Sequence, residues 1–232
     1  MKKAKIKAII FDMDGVMFDT EKLYRKAFIA IAKKWDWENE ITKEFMDSNI
    51  GKSKKDIRNK YKELLDAKSI ARSGKEFDFD EHLKQVYTYM DNYIETKGTI
   101  VKEGLVELLG FAKENNLRVA IGTSENYKRV QFYLEYANIP MDTFDAIVCG
   151  DMVQHGKPAP DIFIMACEEL SVKPEEAVVL EDSLNGIIAA HRAGTKPIMI
   201  IDCIPPTDEI MKLLFFKPLN SLLEVAKIIK QL

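Results

Sequence analysis

"AIIFDMDGVMFDTE" occupies residues 8–21 and sets the terms on which the rest of the chain is read. An apolar run from Ala8 to Phe11 ends in Asp12 and Asp14, which flank one methionine, and Gly15 follows at once. A stretch without polar members reads as a strand buried on both faces, the kind found inside a parallel sheet. Two carboxylates at the end of such a strand repel one another, so positive charge has to be supplied beside them. Gly15 lets the backbone turn away from the strand directly after them.

Runs of the same character recur at "RVAIGT" (118–123), "DAIVCG" (145–150), "AVVLED" (177–182) and "PIMIID" (197–202). Helical stripes lie between them: Leu105, Leu108, Leu109 and Ala112; Val130, Tyr133, Leu134 and Ala137; Phe163, Ala166, Cys167 and Leu170. Strand and helix alternating in this way predict an α/β fold, a parallel sheet covered by helices on both faces. The first two strands break the rhythm. About a hundred residues separate them, far more than one crossover helix needs. The excess carries amphipathic stripes (Phe28, Ile31, Trp35; Ile57, Tyr61, Leu64, Leu65; Leu83, Val86, Tyr87, Met90, Ile94) and no strand pattern. It reads as a small helical domain over 18–95 inserted into a core formed by 1–17 and 96–232, with Gly98 giving a flexible return. "AKSIARSGKEFDFDE", the most polar part of the insert, reads as a loop.

Composition excludes several classes. With 34 Lys+Arg against 37 Asp+Glu in 232 residues, the net charge of -3 gives no global field that favours a nucleic acid polymer or an anionic membrane. The basic start "MKKAKIKAII" is cut short by Asp12, so it fails as a signal peptide, and a soluble cytoplasmic monomer is expected. Cys149, Cys167 and Cys203 are widely spaced without a Cys-x-x-Cys pair and read as reduced thiols.

Ligands of open parallel sheets bind beyond the carboxyl ends of the strands. The polar residues of this chain collect there: Asp12 and Asp14, then Thr123 and Ser124, then Glu181 and Asp182, with "HGKPAPD" delivering Lys157. Any one of them could cap a helix or shape a turn. Together they describe phosphoryl transfer. An ionised carboxylate can attack phosphorus and form an acyl phosphate, splitting one hard displacement into two easier ones. The anionic partners need cations between them. Asp12, Asp182 and a backbone carbonyl near Asp14 offer the hard oxygen ligands that magnesium prefers, and Lys157 adds a second positive charge. Thr123 and neighbouring backbone N–H groups can hold the remaining phosphoryl oxygens.

"DMDGVMFDTE", "GTS", "GKPAPDIF" and "LEDSLNGI", in this order, resemble the motifs of the haloacid dehalogenase-like hydrolases, and the insert resembles the helical cap of the β-phosphoglucomutase-like branch. The resemblance implies a Rossmann-like three-layer α/β/α core bearing that cap, and a magnesium-dependent phosphatase of small phosphomonoesters. It implies Asp12 as nucleophile, Asp14 as general acid then base, Thr123 as phosphate binder and Lys157 as charge stabiliser. The metal set it implies is Asp12, Asp14, Asp182 and Glu181, with Gly15 and Ser124 beside the phosphate. Family dehalogenases lack the second aspartate because a halide leaves without a proton, so Asp14 points to a phosphate ester.

In this branch specificity residues sit on the cap. Tyr24 stands where mutases carry a histidine, and "GKSKKD" has Lys54 where they carry an arginine, so the bidentate grip on a second phosphate is weakened. Lys52, Lys54 and Tyr24 are the cap candidates for substrate contact, while Trp35 is assigned to the cap core. The departures favour hydrolysis of a sugar phosphate or a (pseudo)nucleoside 5'-monophosphate over mutase chemistry. A receiver-like signalling module and a decayed, non-catalytic binding protein are the rivals from other classes. The large insert and the Asp-x-Asp spacing oppose the first, and the complete set of motifs opposes the second.

Overall fold

The computed structural model describes residues 5–47 and 54–231. The chain divides into two compact units, Met1–Thr20 with Gly98–Leu232, and Glu21–Lys97. The first holds a parallel sheet of β1 (Ala8–Phe11), β2 (Arg118–Gly122), β3 (Ala146–Val148), β4 (Ala177–Glu181) and β5 (Lys196–Met199) in the order β3-β2-β1-β4-β5. The opening strand is therefore central. Phe11 pairs with Ile121 on one side and with Leu180 on the other, which brings the residues that follow these strands to one edge. Alternate side chains of β1 go to opposite faces. Ala8 and Ile10 join a cluster with Phe163, Ala166 and Ala190, whereas Phe11 meets Phe144 edge-on. Ile9 and Ile10 are both fully buried, each contributing about 2 kcal/mol to the core.

Glu21–Lys97 is helical among the described residues: α1 (Thr20–Lys34), α2 (Lys43–Asp47), α3 (Lys54–Ser73) and α4 (Phe79–Lys97). The α4 sequence shows how: Phe79, His82, Val86, Met90 and Ile94 form one buried stripe at helical spacing. Asp78 Oδ1 accepts from Glu81 N at 2.9 Å at its start, and Gly98, at φ 81°, follows its end. The helices of the first unit are α5 (Leu105–Glu114), α6 (Tyr127–Tyr136), α7 (Asp161–Glu169), α8 (Leu184–Arg192), α9 (Asp208–Leu213) and α10 (Val225–Ile229).

Two expectations need correction. The segment expected as a loop from Ala67 is helical as far as Ser73, because its alanines, lysines and arginines are good helix formers, and only the stretch around Gly74 breaks the helix. The division between the units also lies past residues 17 and 96. Phe18 bridges Val101, Asp19 N donates to Ile100 O and Lys102 N donates to Met17 O, both at 2.9 Å. The two connecting segments are thus paired antiparallel and belong with the sheet unit. Among the described residues no helix is long and apolar enough to cross a membrane, and Cys149 and Cys167 are buried free thiols.

His82 gives the helical unit a pH-dependent stability. It is fully buried among Phe28, Trp35, Tyr61 and Phe77, and neither ring nitrogen has a hydrogen-bond partner among the described residues. Burial pushes its pKa down from 6.5 to about 4. Between these values the unfolded chain binds the proton and the folded one does not, so stability falls as pH drops through that window. The full loss is on the order of 3 kcal/mol, and unfolding followed at neutral pH and near pH 4.5 should show most of it in the native chain and little in His82→Phe.

Candidate active site

The backbone leaves β1 at Asp12 and turns through Gly15, whose φ of 77° suits glycine. The turn is closed by Gly15 N donating to Phe18 O at 2.9 Å and Phe18 N donating to Met13 O at 3.1 Å. A side chain at Gly15 would run into the Asp182 carboxylate, so this glycine is the gap through which Asp182 approaches the turn. Its N–H is committed to Phe18. Gly15, expected beside the phosphate, supplies space at this turn.

Lys157 sits at the centre. Its Nζ donates to Asp12 Oδ1 at 2.5 Å, to Glu181 Oε1 at 2.8 Å and to Gly122 O at 3.0 Å, which uses all three ammonium hydrogens. Only 6% of the side chain is exposed. Burial opposes its charge, but the Asp12 and Glu181 carboxylates outweigh burial and raise its pKa, so it stays protonated. For Asp12 the balance goes the other way. Burial is the largest influence and pushes its carboxyl up, to about 8; Lys157 pulls it down, and the charges of Glu181 and Asp14 add to the rise. One ammonium does not neutralise this edge of the sheet.

Carboxylate oxygens of Asp12, Glu181 and Asp182 lie within 4.8 Å of one another, and all three residues are buried. Hard oxygen donors in excess over positive charge are what a divalent cation of the magnesium kind fits. Within the set the roles differ. Glu181 Oε1 accepts from Lys157, and its Oε2 accepts from Ser183 N at 2.8 Å and from Ser183 Oγ at 2.9 Å, so this carboxylate is fixed by the protein. Asp12 Oδ1 accepts from the same ammonium, and Asp182 completes the cluster. The Asp14 carboxylate is outside this cluster. It accepts from Thr20 Oγ1 at 2.6 Å, at the start of α1.

Thr123 follows β2 and is buried; its Oγ1 accepts from Glu125 N at 3.1 Å, and its hydroxyl hydrogen remains a donor. Ser124 is exposed beside it, and its carbonyl packs so closely on Gly150 that a Cβ there would collide with it. The cap candidates belong to the other unit. Tyr24 packs within it against Phe28 at 4.6 Å and Tyr87 at 6.2 Å, and burial raises its phenol well above the usual range. Trp35 packs on Phe77 and His82 there. Lys52 and the side chain of Lys54 lie outside the described residues.

Sequence reasoning missed Thr20, Ser183 and Gly186. The signal for the second was present: a serine opening a helix, with Gly186 N donating to Ser183 Oγ at 3.1 Å. Gly186 stands against the Glu181 carboxylate, and a Cβ at Gly186 would overlap it. Alanine in place of glycine ordinarily favours a helix by about 1 kcal/mol. Here the sign should reverse: Gly186→Ala is expected to lose about 1–3 kcal/mol of stability, since overpacking forces Glu181 off its partners. Turnover should fall by roughly tenfold or more as Lys157 shifts with it. Urea unfolding and steady-state kinetics on the same preparation check both.

The sequence pattern of the haloacid dehalogenase-like hydrolases matches residues 9–200. The chain belongs to this family. It is 33% identical to protein CbbY of Cereibacter sphaeroides over 84% of each chain. It is 32% identical to the phosphorylated carbohydrates phosphatase of Thermotoga maritima, over 83% of this chain and 84% of that one. Its fold is that of a Thermotoga maritima structure described as a β-phosphoglucomutase, with a TM-score of 0.78 at 24% identity over 98% and 100% of the two chains. A CbbY variant of Rhodobacter sphaeroides, solved in complex with xylulose-(1,5)bisphosphate, superposes with a TM-score of 0.68 at 27% identity, over 94% and 96%. The chain is thus a haloacid dehalogenase-like hydrolase with a phosphatase among its relatives.

Proposed function

We propose that the protein hydrolyses small phosphomonoesters, sugar phosphates foremost, through a phospho-aspartate on Asp12 with magnesium as cofactor. The observation that carries this reading is Lys157, buried and shared between Asp12 and Glu181, with Asp182 in the same cluster. Such an arrangement presents one carboxylate oxygen to an incoming phosphoryl group and surrounds it with positive charge. Magnesium held by Asp12, Asp182 and the Asp14 carbonyl would neutralise the phosphate and keep Asp12 ionised against burial.

The chain's own residues divide the remaining work. Asp12 attacks phosphorus, and the alcohol departs with a proton from Asp14, held by Thr20. Asp14, now a carboxylate, takes a proton from water as that water attacks the acyl phosphate, which frees Asp12 and releases phosphate. Thr123 donates to a phosphoryl oxygen, and Lys157 holds Asp12 in line while balancing charge. Sugar phosphates are favoured over nucleoside monophosphates because the Thermotoga maritima relative is a phosphorylated carbohydrates phosphatase and the CbbY variant holds a pentulose bisphosphate.

Phosphate release is to be measured across hexose and pentose phosphates, nucleoside 5'-monophosphates and pseudouridine 5'-phosphate, with magnesium and with chelator. Release from sugar phosphates that falls by at least roughly 100-fold on chelation and returns with magnesium is expected. Conversion of β-glucose 1-phosphate to the 6-phosphate without release would favour a mutase, and no release from any ester would overturn the reading.

A further inference from the structure

The helix α6 touches both the phosphate end of the site and the turn that presents Asp14. It begins just after Thr123, with Asn126 Oδ1 accepting from Arg129 N at 3.0 Å. Its buried face carries Val130, Tyr133 and Leu134. Tyr133 lies nearly parallel to Phe18, ring centroids 5.7 Å apart and planes inclined by 24°. Phe18 is fully buried and is the residue whose backbone closes the Asp14 turn, through the bonds to Gly15 and Met13 and a bridge to Asp14 itself.

Tyr133 is held in turn from two directions. Arg129 Nη2 donates to its hydroxyl at 3.0 Å with the guanidinium 4.6 Å from the ring centroid, and Thr99 Oγ1 donates to its carbonyl at 2.9 Å. Burial first, then the nearby Asp14 carboxylate, raise the pKa of the hydroxyl and keep it neutral. The phenol therefore sits close to Asp14 without competing for its proton.

We propose that Tyr133 is a positioning residue for Asp14: by stacking on Phe18 it fixes the turn from which the Asp14 carboxyl reaches the leaving oxygen. Arg129 fixes the ring. The inference rests on the reading of Asp14 as general acid, and that reading supplies its test. A group that orients a general acid matters only where the leaving group needs a proton. An alkyl ester such as benzyl phosphate requires one, whereas p-nitrophenyl phosphate expels a stable anion.

The experiment is single-turnover release of benzyl alcohol and of p-nitrophenolate, with enzyme in excess and magnesium present, so that only transfer to Asp12 is read. In Tyr133→Leu and Phe18→Leu the benzyl ester should slow by roughly tenfold to 100-fold and the nitrophenyl ester by less than about threefold. Tyr133→Phe keeps the stack, and its ratio between the two esters should return to within about twofold of native. Thermal melts accompany each variant; should Tyr133→Leu not fold, Phe18→Leu against Phe18→Tyr, which keeps the stack, decides. Equal slowing of both esters, or no slowing, would overturn the proposal. Asp14→Asn is the control. If Asp14→Asn discriminates and the stack variants do not, the positioning role alone fails; if Asp14→Asn slows both esters equally, the acid reading fails and the proposal with it.

Discussion

Asp12→Asn is expected to lower phosphate release by on the order of 10⁴-fold or more while leaving the fold nearly as stable as before. The amide is close to isosteric but is not a nucleophile, so transfer to the side chain stops at the first step. Stability is the less obvious half. Removing one partner of a buried ion pair usually costs about 3–5 kcal/mol, because the other charge is left uncompensated. Here it is not left so, since Lys157 keeps Glu181 Oε1 and Gly122 O as acceptors. The substitution also removes a carboxylate that burial and the charges of Glu181 and Asp14 oppose. The two effects have opposite sign, and a change within about 1–2 kcal/mol in either direction follows. Phosphate release and urea unfolding on one preparation test both halves, and activity retained within tenfold would remove Asp12 from its role.

The sheet and its insert were legible for a physical reason. A strand buried on both faces cannot hide its apolar run, and a gap of a hundred residues between strands cannot be a single crossover. Asp12, Glu181 and Asp182 follow or end neighbouring strands, so the residues that the register brings to one edge could be named from the sequence. What surrounds them could not. Thr20 bonds Asp14 across a turn whose path depends on Gly15 and on the pairing of Phe18 with Val101. Tyr133 reads as one more member of a helical core stripe, and only the folded chain lays it on Phe18. Glu181 adjoins Asp182 and falls in the same carboxylate cluster, but its bonds to Lys157 and Ser183 show only in the folded chain. The helical end of α3 is obscured by composition: Lys68, Arg72 and Ser73 make a polar surface, which reads as a loop.

Lys157→Met should do what Asp12→Asn does not, and damage activity and stability together. Methionine fills nearly the same volume, so packing against Phe163, whose ring centroid lies 4.8 Å from the ammonium, is largely kept. The charge is not. Asp12 and Glu181 are then buried side by side with no cation from the chain between them, and the metal-free protein should lose about 3–5 kcal/mol. Turnover should fall by roughly 10²–10³-fold from lost charge stabilisation, and further as Asp12 relaxes away from its position. Lys157→Arg is not expected to rescue it. The ammonium directs its three hydrogens to Asp12, Glu181 and the Gly122 carbonyl around one point, whereas a guanidinium donates in a plane and is too large for a side chain that is 6% exposed. Magnesium supplies a check that needs no substrate. A cation at Asp12 and Asp182 restores part of the missing positive charge, so it should raise the unfolding midpoint more in Lys157→Met than in the native protein. An equal rise in both would mean that Lys157 does not compensate these carboxylates, and retention of native stability in Lys157→Met would mean that they do not need it.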